Sequence, residues 1–282
     1  MTNRVAALQM VSSGDIHQNL ESAARLIESA VAKGADLVLL PENFAVLDGG
    51  PLRQFAEIEG ADDALLQDFL AGQASSHRIT LVGGTIPLLS RPSAGNTSQP
   101  SLLDDGRVRP ACMVYNDAGE LTARYDKIHL FDVTVEDRQA EYSESKSFEP
   151  GEEVVTVASP AGQLGLSICY DLRFPELYRR LREAGAEIVT VPSAFTRTTG
   201  AAHWEVLLRA RAIENQCYVI AANQGGVHNK TRETFGHSMI VDPWGEVLDC
   251  VAQGEGVAVA DLDLEFLAKV RRDMPIASHR RL

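Results

Sequence analysis

The stretch Gly162–Leu181, GQLGLSICYDLRFPELYRRL, places one thiol where a buried strand turns into a helix, and the fold is read outward from it. Gln163 to Ile168 is a short apolar run suited to a buried strand, and Pro175 opens a helical pattern with Leu177 and Leu181 four apart. Cys169-Tyr170-Asp171 therefore occupies the turn. A strand-to-helix elbow lifts a side chain above the sheet edge and leaves backbone N–H groups pointing outward, which suits a nucleophile that needs an oxyanion hole. A cysteine packed as a small core residue is the competing reading of this stretch alone.

Upstream, the chain alternates strand and helix. Val5–Met10 reads as a strand and Asp15 as the cap of a helix that carries Ile16, Leu20, Ala23, Ile27 and Val31 until Lys33-Gly34 stops it. Asp36–Leu40 is a buried strand ending in Pro41-Glu42, so a carboxylate arrives at a strand's carboxyl end, where open α/β sheets bind ligands. Leu65–Ala74 reads as a helix, Ile79–Ile86 as a third strand that carries Gly83-Gly84 and stops at Pro87, and Ser90–Pro100 as a solvated loop. Ala111–Tyr115 and Leu121–Tyr125 flank the turn Asn116-Asp117-Ala118-Gly119 and should pair as a hairpin. That hairpin runs into Lys127, whose following Ile128, Leu130 and Phe131 would draw it inward, and then into a charged loop, Asp132 to Pro150, that holds Glu144.

Val154–Ala158 and Gln163–Ile168 are strands on either side of a Ser159–Gly162 turn. Beyond the elbow come a strand at Ile188–Val191, a hydroxyl-rich loop at Pro192–Gly200 and a helix at His203–Gln216 with Glu205 and Arg209 at i, i+4 spacing. Trp204, Leu207 and Leu208 can face a sheet while Val206, Ala210 and Ile213 are left to be covered by another subunit. Tyr218–Asn223, Ser238–Val241, Val247–Val251 and Val257–Asp261 complete about a dozen strands, against four or five main helices. A two-sheet core with helices on both outer faces fits those numbers; one doubly wound sheet does not.

Composition limits the function. The 282 residues are 45% hydrophobic, enough for one large α/β domain, and the formal net charge of −13 argues against nucleic acid as a partner. No apolar stretch approaches the length of a membrane span, and Met1-Thr2-Asn3-Arg4 leads straight into a strand, so a cytoplasmic protein is expected. Cys112, Cys169, Cys217 and Cys250 are scattered without a CxxC pair and read as free thiols, with no metal site indicated.

With Glu42, Lys127 and Cys169 placed, the sequence resembles the nitrilase, or carbon–nitrogen hydrolase, superfamily. The family's three signatures stand here as LLPEN, YDKIHLF and ICYDLRFPE, in the order Glu, Lys, Cys, and ESKSFEPG, PSAFTRTTGAAHWEVLLRARAIENQ and GHSMIVDPWG extend the likeness over almost the whole chain. The resemblance implies a single-domain, four-layer α-β-β-α sandwich and hydrolysis of a non-peptide C–N bond without a cofactor. It also implies a homodimer or larger homo-oligomer, for which the helices at 175–184 and 203–216 are the candidate contacts, with a tail from about residue 273 packing on the partner. It gives catalytic roles to Glu42, Lys127 and Cys169, an oxyanion-hole role to the backbone of Tyr170, and a supporting role to Glu144.

The triad is shared by nitrilases, aliphatic amidases, carbamoylases and ω-amidases, so the loops decide the substrate. Here they look most like the branch of the deaminated-glutathione amidases, with the ω-amidases, which take 2-oxoglutaramate or 2-oxosuccinamate, as nearest relatives. Both branches act on amides of 2-oxo dicarboxylic acids, so an α-keto carboxylate needs a cation and hydroxyl donors. Arg173, Phe195, Thr196 and Thr199 are the candidates, Arg173 being equally open to an internal ion pair with the Pro175 helix. A non-catalytic metabolite-binding subunit is the remote alternative, against which all three catalytic positions stand intact.

Overall fold

The computed structural model describes residues 3–47, 52–60, 64–92 and 101–281. In chain order, β1 (Asn3–Gln9), α1 (Ile16–Ala32), β2 (Leu37–Leu39), α2 (Leu52–Ile58), α3 (Leu65–His77), β3 (Thr80–Val82), β4 (Ile86–Leu88), β5 (Arg109–Tyr115) and β6 (Leu121–Asp126) form the first half. A small hairpin, β7 (Asp132–Thr134) and β8 (Glu141–Ser143), precedes β9 (Thr156–Ser159), β10 (Gly162–Leu166), α4 (Pro175–Glu183), β11 (Ile188–Ser193), α5 (Arg197–Asn215), β12 (Tyr218–Asn223), β13 (Ser238–Val241) and β14 (Val247–Val251). Finally β15 (Gly256–Leu262), α6 (Leu264–Asp273) and α7 (Ile276–His279) close the chain.

Two sheets result. One runs β15-β1-β2-β3-β5-β4 with β6 on β5, and the other runs β14-β13-β12-β11-β10-β9. The parallel strands β1, β2, β3 and β10, β11, β12 sit centrally and read as unbroken apolar runs because both of their faces are covered. Alternation decides which layer each residue joins. Val5, Ala7, Leu37 and Leu39 point into the inter-sheet core with Leu164, Leu166, Ile188 and Ile220, whereas Ala6, Leu8, Val38 and Leu40 point outward onto Leu20, Leu26 and Ile27 of α1 and Leu66 and Leu70 of α3. On the other outer face, Leu177, Tyr178 and Leu181 of α4 and Trp204, Leu208 and Ala212 of α5 cover the second sheet. The layers are therefore α-β-β-α, as the sequence implied.

Four sequence readings need correction. The expected strand Ile79–Ile86 is two strands, β3 and β4, because Gly84 turns the chain at φ +57° beside the Pro41 carbonyl; a Cβ there would lie 2.1 Å from that oxygen. Pro87 does not end a strand but lies inside β4, which is tolerable at a sheet edge. The helix expected at 203–216 begins two turns earlier, at Arg197, because Thr196 caps it through the Thr199 N–H, which turns half of the expected hydroxyl loop into helix. The Asp132–Pro150 loop contains the β7–β8 hairpin, and α2 and α6 were not foreseen. The Ser90–Pro100 loop lies outside the described residues from 93 on.

Val206 and Ile213 on α5 are 67% and 46% exposed, so the second apolar face of that helix is open in the single chain. The C-terminal tail docks on its own chain: Gln216 donates to the Met274 carbonyl at 2.6 Å and Arg280 pairs with Glu183 at 2.6 Å. No helix among the described residues is long and apolar enough to cross a membrane.

Candidate active site

Four ionisable side chains from four separated parts of the chain meet at one end of the central strands. Glu42 follows β2 through the turn that Gly84 permits, and its backbone is held by Gln224, which donates to the Glu42 carbonyl at 3.1 Å. Lys127 follows β6, with its N–H bonded to the Pro110 carbonyl and its carbonyl to the Gly151 N–H. Glu144 sits on the single helical turn after β8, its carboxylate receiving the Phe131 N–H at 2.8 Å. Cys169 starts the turn after β10.

Lys127 is 1% exposed and donates to Glu42 Oε1 at 2.8 Å and to Glu144 at 2.8 and 3.0 Å. Burial works against its charge, yet Glu144 and Glu42 outweigh burial and hold the ammonium well above the ordinary lysine range. The other oxygen of Glu42 accepts the Ala194 N–H at 2.9 Å. Burial also pushes the Cys169 thiol well above the usual cysteine range, Glu42 pushes the same way, and Lys127 and the Ala194 N–H offset only part of it. The resting thiol is thus protonated, beside a carboxylate that can accept its proton. Cys112 and Cys217 are pushed up to about 12 chiefly by burial, and Cys250 is exposed.

The elbow is strained and clamped. Cys169 has φ +45°, a left-handed conformation that costs a β-carbon-bearing residue roughly 1–3 kcal/mol. Asp171, fully buried, offsets that strain. Its carboxylate accepts the Ile168 N–H at 2.8 Å and the Tyr125 hydroxyl at 2.7 Å on one oxygen, and the His129 N–H at 3.0 Å with His129 Nδ1 at 2.7 Å on the other. One side chain thereby ties the thiol's turn to the segment around Lys127. The sequence reading passed over Asp171, although an acid directly after an apolar strand and two residues from the thiol was the signal for it.

A narrow pocket opens above the thiol, lined by Glu42, Glu144, Cys169, Tyr170, Arg173, Phe195, Thr196 and Thr199 among others, so every sequence-predicted site residue but the buried Lys127 lines it. Cavities of about 410 and 420 Å³ elsewhere are wider but hold no thiol, so chemistry and not size picks out this one. Arg173 lies over the rings of Phe195 and Tyr170 at 5.3 and 5.8 Å, and its Nη1 is 3.2 Å from His203 Nδ1. The internal ion pair considered for it is absent among the described residues. Thr196 spends its hydroxyl on the α5 cap, 2.8 Å from the Thr199 hydroxyl. Arg232 also lines the pocket and had no signal in the sequence beyond its charge, being one cation in a polar loop.

A thiol, a carboxylate able to take its proton, and a buried cation at one pocket floor make a site for attack on a polarised carbonyl or nitrile carbon. Fold and sequence assign the class: the family model of carbon–nitrogen hydrolases matches residues 4–272, and the chain belongs to that family. It is 43% identical to the deaminated glutathione amidase of Synechocystis over 98% of this chain and 97% of that protein. Among solved structures it superposes on Saccharomyces cerevisiae Nit3 with a TM-score of 0.83 at 32% identity, covering 100% of this chain and 97% of that one. It also superposes on the C. elegans NitFhit protein with a TM-score of 0.87 at 38% identity, covering 99% of this chain; it spans 65% of the NitFhit chain.

Proposed function

We propose that this hydrolase cleaves the amide bond of deaminated glutathione, releasing 2-oxoglutarate and cysteinylglycine through a thioester on Cys169. Glu42 takes the thiol proton as Cys169 Sγ attacks the amide carbon. Lys127 and the Tyr170 N–H hold the developing oxyanion, each donor lowering the barrier by roughly 3 kcal/mol. The tetrahedral intermediate expels the amine, which leaves with the proton from Glu42. Water then attacks the thioester as Glu42 accepts its proton, and that proton returns to the departing thiolate. Glu144 fixes the Lys127 ammonium together with Glu42.

The observation that carries the substrate choice is the continuation of the pocket. Past Asn43, Phe131, Glu144 and Arg232 it meets an outer cavity of about 300 Å³, space that an ammonia leaving group does not need and a dipeptide does. Arg173 and Thr199 supply the cation and hydroxyl for the α-keto carboxylate, and the name borne by the similar Synechocystis protein supports the same reading. A homodimer joined through α4 and α5, with the tail from about residue 273 beside them, and a cytoplasmic location complete the proposal.

Steady-state kinetics on deaminated glutathione, 2-oxoglutaramate and glutathione test it. The expected order places deaminated glutathione first and leaves glutathione nearly untouched, because its α-ammonium would face Arg173. A preference for 2-oxoglutaramate would make the protein an ω-amidase.

A further inference from the structure

The mechanism leaves one cation of the pocket without a task. Arg232 sits where the inner pocket and the outer cavity join and lines both, whereas Arg173 and Cys169 line only the inner one. Its guanidinium is aimed and not neutralised: Nη2 donates to the Ala194 carbonyl at 3.1 Å, and its carbon lies 4.9 Å from the centre of the Tyr142 ring. The adjacent Glu233 carboxylate is taken by Arg197 at 3.1 Å, and among the described residues no carboxylate pairs with Arg232. The pocket acids are taken as well, Glu144 by Lys127 and the Phe131 N–H and Glu42 by Lys127 and the Ala194 N–H. A guanidinium held by a carbonyl and by the ring and hydroxyl of Tyr142, and lining both cavities without a carboxylate partner, is arranged to receive an anion.

Charge bookkeeping points the same way. Glu42, Lys127 and Glu144 sum formally to −1 in a chain of net charge −13, so an anionic substrate is repelled unless cations face each of its carboxylates. Arg173 serves the acyl part, which stays attached to Cys169 in the inner pocket. We infer that Arg232 is a specificity-determining residue that binds a terminal carboxylate on the leaving amine, so that the enzyme selects 2-oxo acyl amides whose leaving group is itself an amino acid or dipeptide. This rests on the proposed substrate class and adds to it the chemistry of the departing half.

The test uses the full chain and three amides of the same acyl group: with cysteinylglycine, with cysteinylglycinamide, which lacks only the terminal charge, and with ammonia. Wild type should show kcat/KM about 10- to 100-fold higher for the cysteinylglycine amide than for the cysteinylglycinamide one, the worth of a charge-assisted hydrogen-bond pair. Arg232→Met should bring that ratio close to one, mainly through KM, and Arg232→Lys, which keeps the charge but loses the fork, should restore part of it. Equal losses on all three amides in Arg232→Met would assign the residue to holding the Ala194 loop and overturn the inference, and Arg232→Lys reports the ratio if the Met variant fails to fold. A wild-type ratio of one overturns the inference alone; no turnover of any of the three overturns the substrate reading and the inference with it.

Discussion

Two charged clusters lie one residue apart in the chain and follow opposite rules. Asp126 belongs to the first, with Arg109, Arg124, Arg91 and Glu149; Lys127 belongs to the second, with Glu42, Glu144 and Cys169. In the first, guanidinium forks meet carboxylates edge on: Arg124 binds Asp126 at 2.7 and 3.0 Å, and Arg91 binds Glu149 at 2.7 and 2.8 Å. Arginine does not surrender its proton, so this cluster can only clamp. In the second, every member is a type whose proton can move, and a buried thiol stands protonated beside an acceptor. Both clusters are ion-paired and largely buried. Residue type, not burial or pairing, separates a clamp from a site that handles protons.

Mutation should separate the two clusters along the same line. The largest effect is expected at Cys169→Ala: turnover should fall by on the order of 10⁴-fold or more, with the thermal midpoint little changed. Retention of a tenth of the activity would remove the thiol from the chemistry. Next, Glu42→Gln and Lys127→Met should each lower kcat by about 10³-fold while KM moves little, since both act on the transition state. Were Glu42→Gln to alter only KM, Glu42 would belong with the binding groups.

Arg109→Met in the first cluster should reverse the pattern. It takes one guanidinium from each of Asp126 and Glu149, which keep Arg124 and Arg91, and should cost about 2 kcal/mol in denaturant unfolding, with kcat within roughly tenfold of wild type. A catalytic loss without a stability loss would place Arg109 in the proton-handling cluster. The smallest effect concerns acid. Hydrogen bonds from Arg91, then Arg109, hold the Glu149 carboxyl at about 2 instead of 4.5. Its pKa is depressed on folding, so its contribution is complete above about pH 4.5 and drains away as pH falls toward 2. Glu149→Gln should therefore flatten the stability curve across that window, and an unaltered slope would show that Glu149 is not its source.

What the sequence made legible followed local physics. The strand-elbow-helix around Cys169 declared itself through an apolar run and a proline at the first helical turn, and Asp15 declared the start of α1. Glu42, Lys127 and Glu144 lie far apart in sequence, and only the family resemblance grouped them; no period or spacing predicts that three loops converge. The β3–β4 break was hidden because Gly84 answers to the Pro41 carbonyl, a contact made only in the folded chain. Thr196 was legible as a polar residue but not as a cap, since its neighbours Thr198 and Thr199 look equally like loop. Arg232 became distinguishable from any surface arginine only when the fold set it above Tyr142.

In the proposed mechanism Cys169 carries the acyl half of the substrate between two chemical steps. Mixing the full chain with a 2-oxoglutaryl amide, quenching in acid and mapping the adduct by mass tests it directly. A transient 2-oxoglutaryl adduct on Cys169 alone is expected, formed as amine is released and lost as 2-oxoglutarate appears. Product formation with no adduct at any time, or an adduct on Cys112, Cys217 or Cys250, would contradict it.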